Sequence, residues 1–267
     1  DGKWVAFFTP GNLQKISVDG GSAITLCDAP RGMGGSWDED GNVIAALNII
    51  GGLSRIPSAG SGKPQSLTQS KNTQVPWSFT PDGKRLSFME QSSGTSWDLW
   101  TVPLESDSSG LRAGKPEVFL QTAANEFLPS FSPDGRWMSY TSDESGTPHI
   151  YVRAFPDKGG KWQISSSGGM YPMWSRDGHE LFFETLDNHI MVAGYTVKGD
   201  SFVADKPRLW SEKQIGGSLM SFALAPDGKR IAAIMPVETA EAQKAQNHVI
   251  FLLNLFDEVR RKVLVGK

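Results

Sequence analysis

Phe131-Ser132-Pro133-Asp134-Gly135-Arg136-Trp137-Met138-Ser139-Tyr140 is the stretch from which the fold is read. A bulky residue and a serine lead into Pro-Asp-Gly, where proline fixes φ and glycine tolerates positive φ, so the centre is a tight reversal between two strands. Met138 and Tyr140 then alternate with polar neighbours, the period of two expected when one strand face is buried. The arrangement recurs. Asp-Gly stands at Asp1, Asp40, Asp82, Asp134, Asp177 and Asp227, at spacings of 39, 42, 52, 43 and 50 residues. Four and six places beyond each Asp come Val5/Phe7, Ile44/Ala46, Leu86/Phe88, Met138/Tyr140, Leu181/Phe183 and Ile231/Ala233. Three places before it come Trp37, Phe79, Phe131, Trp174 and Leu224, each preceded by a residue that is mostly small. This is a repeat architecture.

The Asp-Gly turn joins an inner strand A to a strand B. A third strand is predicted at Leu13–Val18, Leu53–Ile56, Asp98–Val102, His149–Ala154, Ile190–Val197 and Val249–Asn254. Glycine-rich turns then lead into short fourth strands such as Ala23–Leu26, Pro64–Leu67, Glu117–Leu120, Trp162–Ser165 and Arg208–Trp210. Four strands in about 40–45 residues make a propeller blade. The expectation is an all-β, six-bladed β-propeller of four-stranded antiparallel blades, one domain over 1–267, with blades near 1–28, 29–68, 74–121, 125–166, 170–211 and 218–267. In each A strand the bulky residue should lie between blades and the small one at the axis. The first repeat begins at its turn, so the first blade is incomplete at the N-terminus. Either Val259–Lys267 completes the ring or that edge is open to pairing with another strand.

Composition narrows the function. Apolar residues are 39% and charged residues 21% of the chain, enough for a buried core. A net charge of −3 and a pI near 5.9 argue against nucleic acid as a partner. Cys27 is the only cysteine, so no disulfide framework is encoded. No stretch is long and apolar enough for membrane insertion within these residues.

Phe131 to Arg136 and Trp174-Ser175-Arg176-Asp177-Gly178 resemble the Pro-Asp-Gly repeats of TolB-type propellers. His149 to Pro156 with Gly159 to Ser165, and Asn247 to Glu258, are similar to the C-terminal propeller domains of bacterial membrane serine/threonine kinases. The resemblance implies a sensor or scaffold that binds a ligand or protein, in a periplasmic or extracellular location.

No Gly-x-Ser-x-Gly elbow, His-Glu-x-x-His zinc spacing or Walker loop occurs. The variable D-to-A and B-to-C loops open onto one end of the propeller channel, and only they can encode a specific surface. Arg31, Trp77, Glu126, Tyr171 and His149 are the candidate ligand-binding residues there, read as exposed loop positions, for a peptide, protein or small molecule. Acids gather on this face. Glu126, Asp143 and Asp187 are the candidate ligands of a divalent cation in the channel. The alternative reading is a metal-assisted hydrolase, lactonase-like or phosphoesterase, with His149 or His189 as catalytic base. The Ala- and Glu-rich stretch 237–247 is expected to form a short helix near Thr239–Gln246, with another near Phe256–Arg261.

Overall fold

The computed structural model describes residues 2–59, 62–107, 110–216, 222–225, 227–235 and 249–252, and every strand among them is antiparallel to its neighbours. The first sheet orders β1 (Trp4–Thr9), β2 (Gly11–Ser17) and β3 (Ile24–Ala29). The second is β4 (Met33–Trp37), β5 (Val43–Ala46), β6 (Ser54–Ile56) and β7 (Gln65–Ser66). In the third, β8 (Thr73–Phe79), β9 (Arg85–Ser92) and the long β10 (Ser96–Asp107) are followed by β11 (Gly110–Ala113) and β12 (Glu117–Leu120), which both pair with β10. The fourth comprises β13 (Glu126–Phe131), β14 (Trp137–Ser142), β15 (His149–Ala154) and β16 (Lys161–Gln163). The fifth has β17 (Met170–Trp174), β18 (Glu180–Glu184) and β19 (Ile190–Lys198), with β20 (Ser201–Ala204) and β21 (Arg208–Ser211) both on β19. The sixth holds β22 (Phe222–Leu224), β23 (Ile231–Ile234) and β24 (Val249–Leu252). The six sheets are consistent with one blade per repeat. Among the described residues the first sheet has three strands, with none on the inner side of β1.

Two strands, β11 and β20, have no counterpart in the predicted pattern. Each extends a C strand into an extra hairpin that leans on the preceding blade. Gln65 Nε2 donates to Leu111 O at 3.3 Å, and Arg136 Nη2 donates to Gly199 O at 2.6 Å. Phe202 of β20 is 2% exposed; it stacks on Tyr195 and meets Trp174 edge-on in its own blade, and packs at a tilt against Trp137 of the fourth. The expected helices at 239–246 and 256–261, and the closing segment 259–267, lie outside the described residues.

The turns repeat atom for atom. Ser132 Oγ donates to Asp134 Oδ1 at 2.6 Å, that oxygen also accepts the Arg136 amide at 3.1 Å, and the Trp137 amide donates to Ser132 Oγ at 3.0 Å. Thr80, Asp82, Lys84 and Arg85 make the same ring of bonds, as do Ser175, Asp177, His179 and Glu180. Hydroxyl and carboxylate thus occupy backbone donors that a tight reversal would leave unpaired.

Each blade packs on the next. Ile44, Ala46 and Leu53 of the second meet Leu86, Phe88 and Val102 of the third, and Trp137, Ile150 and Val152 of the fourth meet Trp174, Leu181 and Phe183 of the fifth. One small residue of an A strand, Ser78, works in a seam rather than at the axis where such residues were expected. Ser78 Oγ accepts the Phe131 amide at 2.8 Å and lies 3.2 Å from Pro129 O, to which Ser87 Oγ of strand B donates at 2.7 Å. Serine hydroxyls thus satisfy backbone groups of the next blade, a task the axis does not offer.

Phe131 and Trp174 are 6% and 9% exposed, whereas His179 is exposed. Phe131→Ala and Trp174→Ala should each cost about 3–5 kcal/mol, and His179→Ala should stay within about 0.5 kcal/mol. Denaturant melts check this, and equal effects would show that seam and turn have been confused.

Candidate functional site at the channel mouth

The inner strands are bulged at one repeated place. Pairing with strand B slips between Met33 and Gly35, Pro76 and Ser78, Phe127 and Ser130, and Met170 and Met173. Gly34, Leu128 and Tyr171, each six residues before its Asp, adopt left-handed backbone with φ of 59°, 60° and 57°. Glycine accepts this freely. Leucine and tyrosine do not, and strain of this kind tends to collect at functional sites.

The bulges aim side chains at one another. Trp77 of the third blade and Tyr171 of the fifth stack with ring centroids 6.5 Å apart and planes 25° apart. Inner strands on either side of the fourth blade can touch only in front of it, toward the axis. Leu128 belongs to the same apolar cluster, against which Met33, Met170 and Met173 also pack. Trp77 remains half-buried, so part of its ring faces outward.

Around this apolar floor lie carboxyl groups without full partnering. Glu126 is 1% exposed. Its Oε1 accepts the Thr122 hydroxyl, while its Oε2 is buried with no partner. Burial, with a contribution from the neighbouring Asp98, pushes its pKa to about 6 against the lowering effect of the Thr122 bond. Asp98 is fully buried; its Oδ2 accepts from Ser92, Thr95 and Gln121, and its Oδ1 has no partner. Consecutive residues, Gln121 and Thr122, therefore tie the two carboxyls to one loop. Glu184 is 4% exposed, its Oε2 is unpartnered, and burial alone raises its pKa to about 7.

Of the residues singled out from sequence, Trp77 and Tyr171 stack on each other, and Glu126 lies on the inner strand β13. Glu126 and Tyr171 are buried, not exposed loop positions: Glu126 is enclosed beside Thr122 and Asp98, and Tyr171 lies in the bulge of β17. Arg31 is exposed, and its guanidinium makes no ion pair among the described residues. His149 is drawn to the outer strands, where Nδ1 meets Ser165 Oγ at 2.9 Å, and the width of β14 separates it from Glu126. His189 pairs with Asp187 at 3.1 Å on an exposed turn. Asp143 accepts the backbone and side-chain amides of Asn125 at 2.8 and 2.7 Å, a loop-closing role. Leu128 was not picked out, although Pro129 and Pro172 stand at the same distance before their Asp and mark equivalent bulges.

Cavities of about 600 Å³ and 280 Å³ lie away from the inner-strand bulges, the first between the Asp-Gly turns of the fourth and fifth blades.

Residues 11–205 match the PD40 family, described as the TolB beta propeller domain. The chain belongs to the TolB β-propeller family. It is 25% identical over 202 residues to an uncharacterized protein of Agrobacterium fabrum, covering 70% of this chain and 64% of that one. To a TolB homolog of Chlamydia trachomatis serovar L2 it is 28% identical over 127 residues, which are 39% of this chain and 29% of the relative. It thus spans less than two thirds of the length of either. Among solved structures, TolB from Acinetobacter baumannii superposes with a TM-score of 0.60 at 18% identity, covering 88% of this chain and 59% of that one. A gluconolactonase from Xanthomonas campestris reaches 0.58 at 13% identity, with 84% and 75% covered. These two likenesses show the fold alone.

In this TolB-family propeller the buried acids make stability depend on pH. Glu126 and Glu184 hold their protons more tightly folded than unfolded, so their contribution is fully present below about pH 4.3. It is lost as pH rises through about 6 and about 7. Stability should therefore fall between pH 5 and pH 8. Glu184→Gln, which keeps the neutral shape, should flatten that slope and stabilise at pH 8 by on the order of 2–3 kcal/mol. Thermal melts across the range test this, and an unchanged slope would show that Glu184 is ionised in the fold.

Proposed function

We propose that this chain is an extracytoplasmic recognition module that binds a protein or peptide at the channel mouth, contacting several blades at once. The Trp77–Tyr171 stack carries the reading. It presents a half-exposed aromatic anchor on strained inner strands, the type of residue that dominates protein interfaces. Methionines adapt easily to a partner's shape, and Met33, Met170 and Met173 border the anchor. Arg31, which makes no ion pair among the described residues, offers a charge for the rim.

The TolB-family membership and the names of the relatives support an extracytoplasmic location. Likeness of residues 149–165 to kinase-appended propellers supports a sensor role within a larger host protein. The hydrolase reading draws only on fold likeness to lactonases. His149 and His189 are each engaged by other side chains away from Glu126.

Peptides selected from a random display library against the immobilised protein provide the test. Binding should weaken roughly tenfold or more in Trp77→Ala and stay unchanged in Lys84→Ala and Lys229→Ala on the turn face. Selected peptides that ignore Trp77 but need the turn-face lysines would overturn the assignment.

A further inference from the structure

Three carboxyl groups hold down residues 121–125, the segment that joins β12 of the third blade to β13 of the fourth. Gln121 Nε2 donates to Asp98 Oδ2 at 2.9 Å, the Thr122 hydroxyl donates to Glu126 Oε1, and the amide and side chain of Asn125 donate to the two oxygens of Asp143 at 2.8 and 2.7 Å. Thr122 Oγ1 in turn accepts the Ala124 amide at 3.0 Å. Two of the three acids are enclosed. Glu126 and Asp98 are 1% and 0% exposed, and each keeps one buried oxygen, Oε2 and Oδ1, with no partner.

The repeat does not ask for an acid at this place. Eight residues before the turn Asp stand Gly32, Gln74, Glu126 and Gly169, with Leu219 in the last repeat. Gln74 shows the position at work when neutral. Its Oε1 accepts the Thr68 hydroxyl at 2.6 Å, as Glu126 Oε1 accepts that of Thr122, and its Nε2 donates to Glu90. The fourth blade keeps the clamp but puts a carboxyl in place of the amide and leaves its second oxygen without a partner. The charges that face Glu126 make its ionisation harder. Asp98 acts on it from β10 and Glu144 from the turn after β14, both of like sign. Tyr140 of β14 is neutral, and Arg153 of β15 is engaged by the Tyr140 hydroxyl at 3.3 Å and by Asp157 at 2.9 Å. Lys161 pairs with Glu144, and no cation pairs with Glu126 among the described residues.

We propose that segment 121–125 is a strap over Glu126, fastened while that carboxyl is neutral and released when it ionises, so that the entrance between the third and fourth blades opens with rising pH. In the closed form an ionised Glu126 would lie out of water beside Asp98 and Glu144, and lifting the strap returns it to solvent. Ionisation also strengthens the bond from Thr122, which acts to keep the strap shut. Burial outweighs that bond, since the net result is a carboxyl pushed from 4.5 to about 6. Linkage then gives the sign. The closed form binds the proton more tightly than the open one, so opening becomes easier as pH rises through this range. Opening bares the first residue of the inner strand β13 and takes Gln121 from Asp98, which adds negative charge to the entrance in the same step. The strap works in this way whatever the mouth binds.

Residue-resolved amide exchange of the full chain, corrected for the intrinsic exchange rate at each pH, tests the strap. The Ala124 and Asn125 amides report on it, because their acceptors are Thr122 Oγ1 and Asp143 Oδ1. Their protection should fall about fifteenfold between about pH 4.5 and about pH 8, the factor that a carboxyl moved from 4.5 to about 6 lends to an opening that returns it to water. Glu126→Gln keeps the acceptor for Thr122, as Gln74 does for Thr68, and should hold the protection at its low-pH level throughout. Glu184→Gln removes the other acid that titrates in this range and should leave the profile of the strap unchanged. In the parent chain the side-chain carboxyl carbon of Glu126, followed by NMR, should titrate together with the two amides, a check that needs no variant. A flat parent profile, a profile as steep in Glu126→Gln as in the parent, a Glu126 carboxyl that titrates at an ordinary value, or one protection shared at every pH with the amides of β14, as in unfolding of the whole molecule, would overturn the proposal.

Discussion

One carboxylate oxygen in each of the third, fourth and fifth blades governs much of this molecule. Asp Oδ1 accepts a serine or threonine hydroxyl and a turn amide together, and the same hydroxyl accepts the amide that begins strand B. The ring locks strand A against strand B, and with side chains alternating every residue, a slip of one place would exchange the buried and exposed faces of the whole pair. Because register is fixed at the turn, the irregularity in strand A is forced to the other end, six residues before the Asp. Left-handed Leu128 and Tyr171 stand there. The turn on one face thus sets where the aromatic floor lies on the other.

What was legible in the sequence is what the repeat controls locally. Turn, strand B and the seam residues Phe131 and Trp174 are decided within about ten residues and read correctly. The extra strands β11 and β20 left a trace that the strand pattern passed over. They fall in the two longest spacings, 52 and 50 residues, beginning at Asp82 and Asp177. Burial of Glu126 left no such trace, because it depends on Gln121, Thr122 and Asp98 closing over it from the preceding blade. The role of Ser78 was misread for a related reason. Ser78 satisfies a backbone amide 53 residues away, and no pattern within one repeat displays that bond.

Two glutamates toward the end of strand B show where folding is not served best. Glu90 lies opposite Gln74 and Glu184 opposite Met170. Glu90 accepts from Ser70, Asn72 and Gln74, whereas Glu184 Oε2 is buried without a partner among the described residues. The third blade supplies its glutamate with donors, and the fifth leaves one carboxylate oxygen without any. Sites that break a rule obeyed elsewhere in a protein are where function is to be sought. Here they cluster with the strained bulges at the mouth, which is why the recognition surface is assigned to that end.

Amide hydrogen exchange with and without a display-selected peptide tests that assignment most directly. Binding at the mouth predicts new protection at the entrance ends of β8, β13 and β17 together, around Trp77, Leu128 and Tyr171, with the Asp-Gly turns unchanged. Protection confined to the turns at Asp82, Asp134 and Asp177, with the inner-strand entrances unaffected, would contradict it.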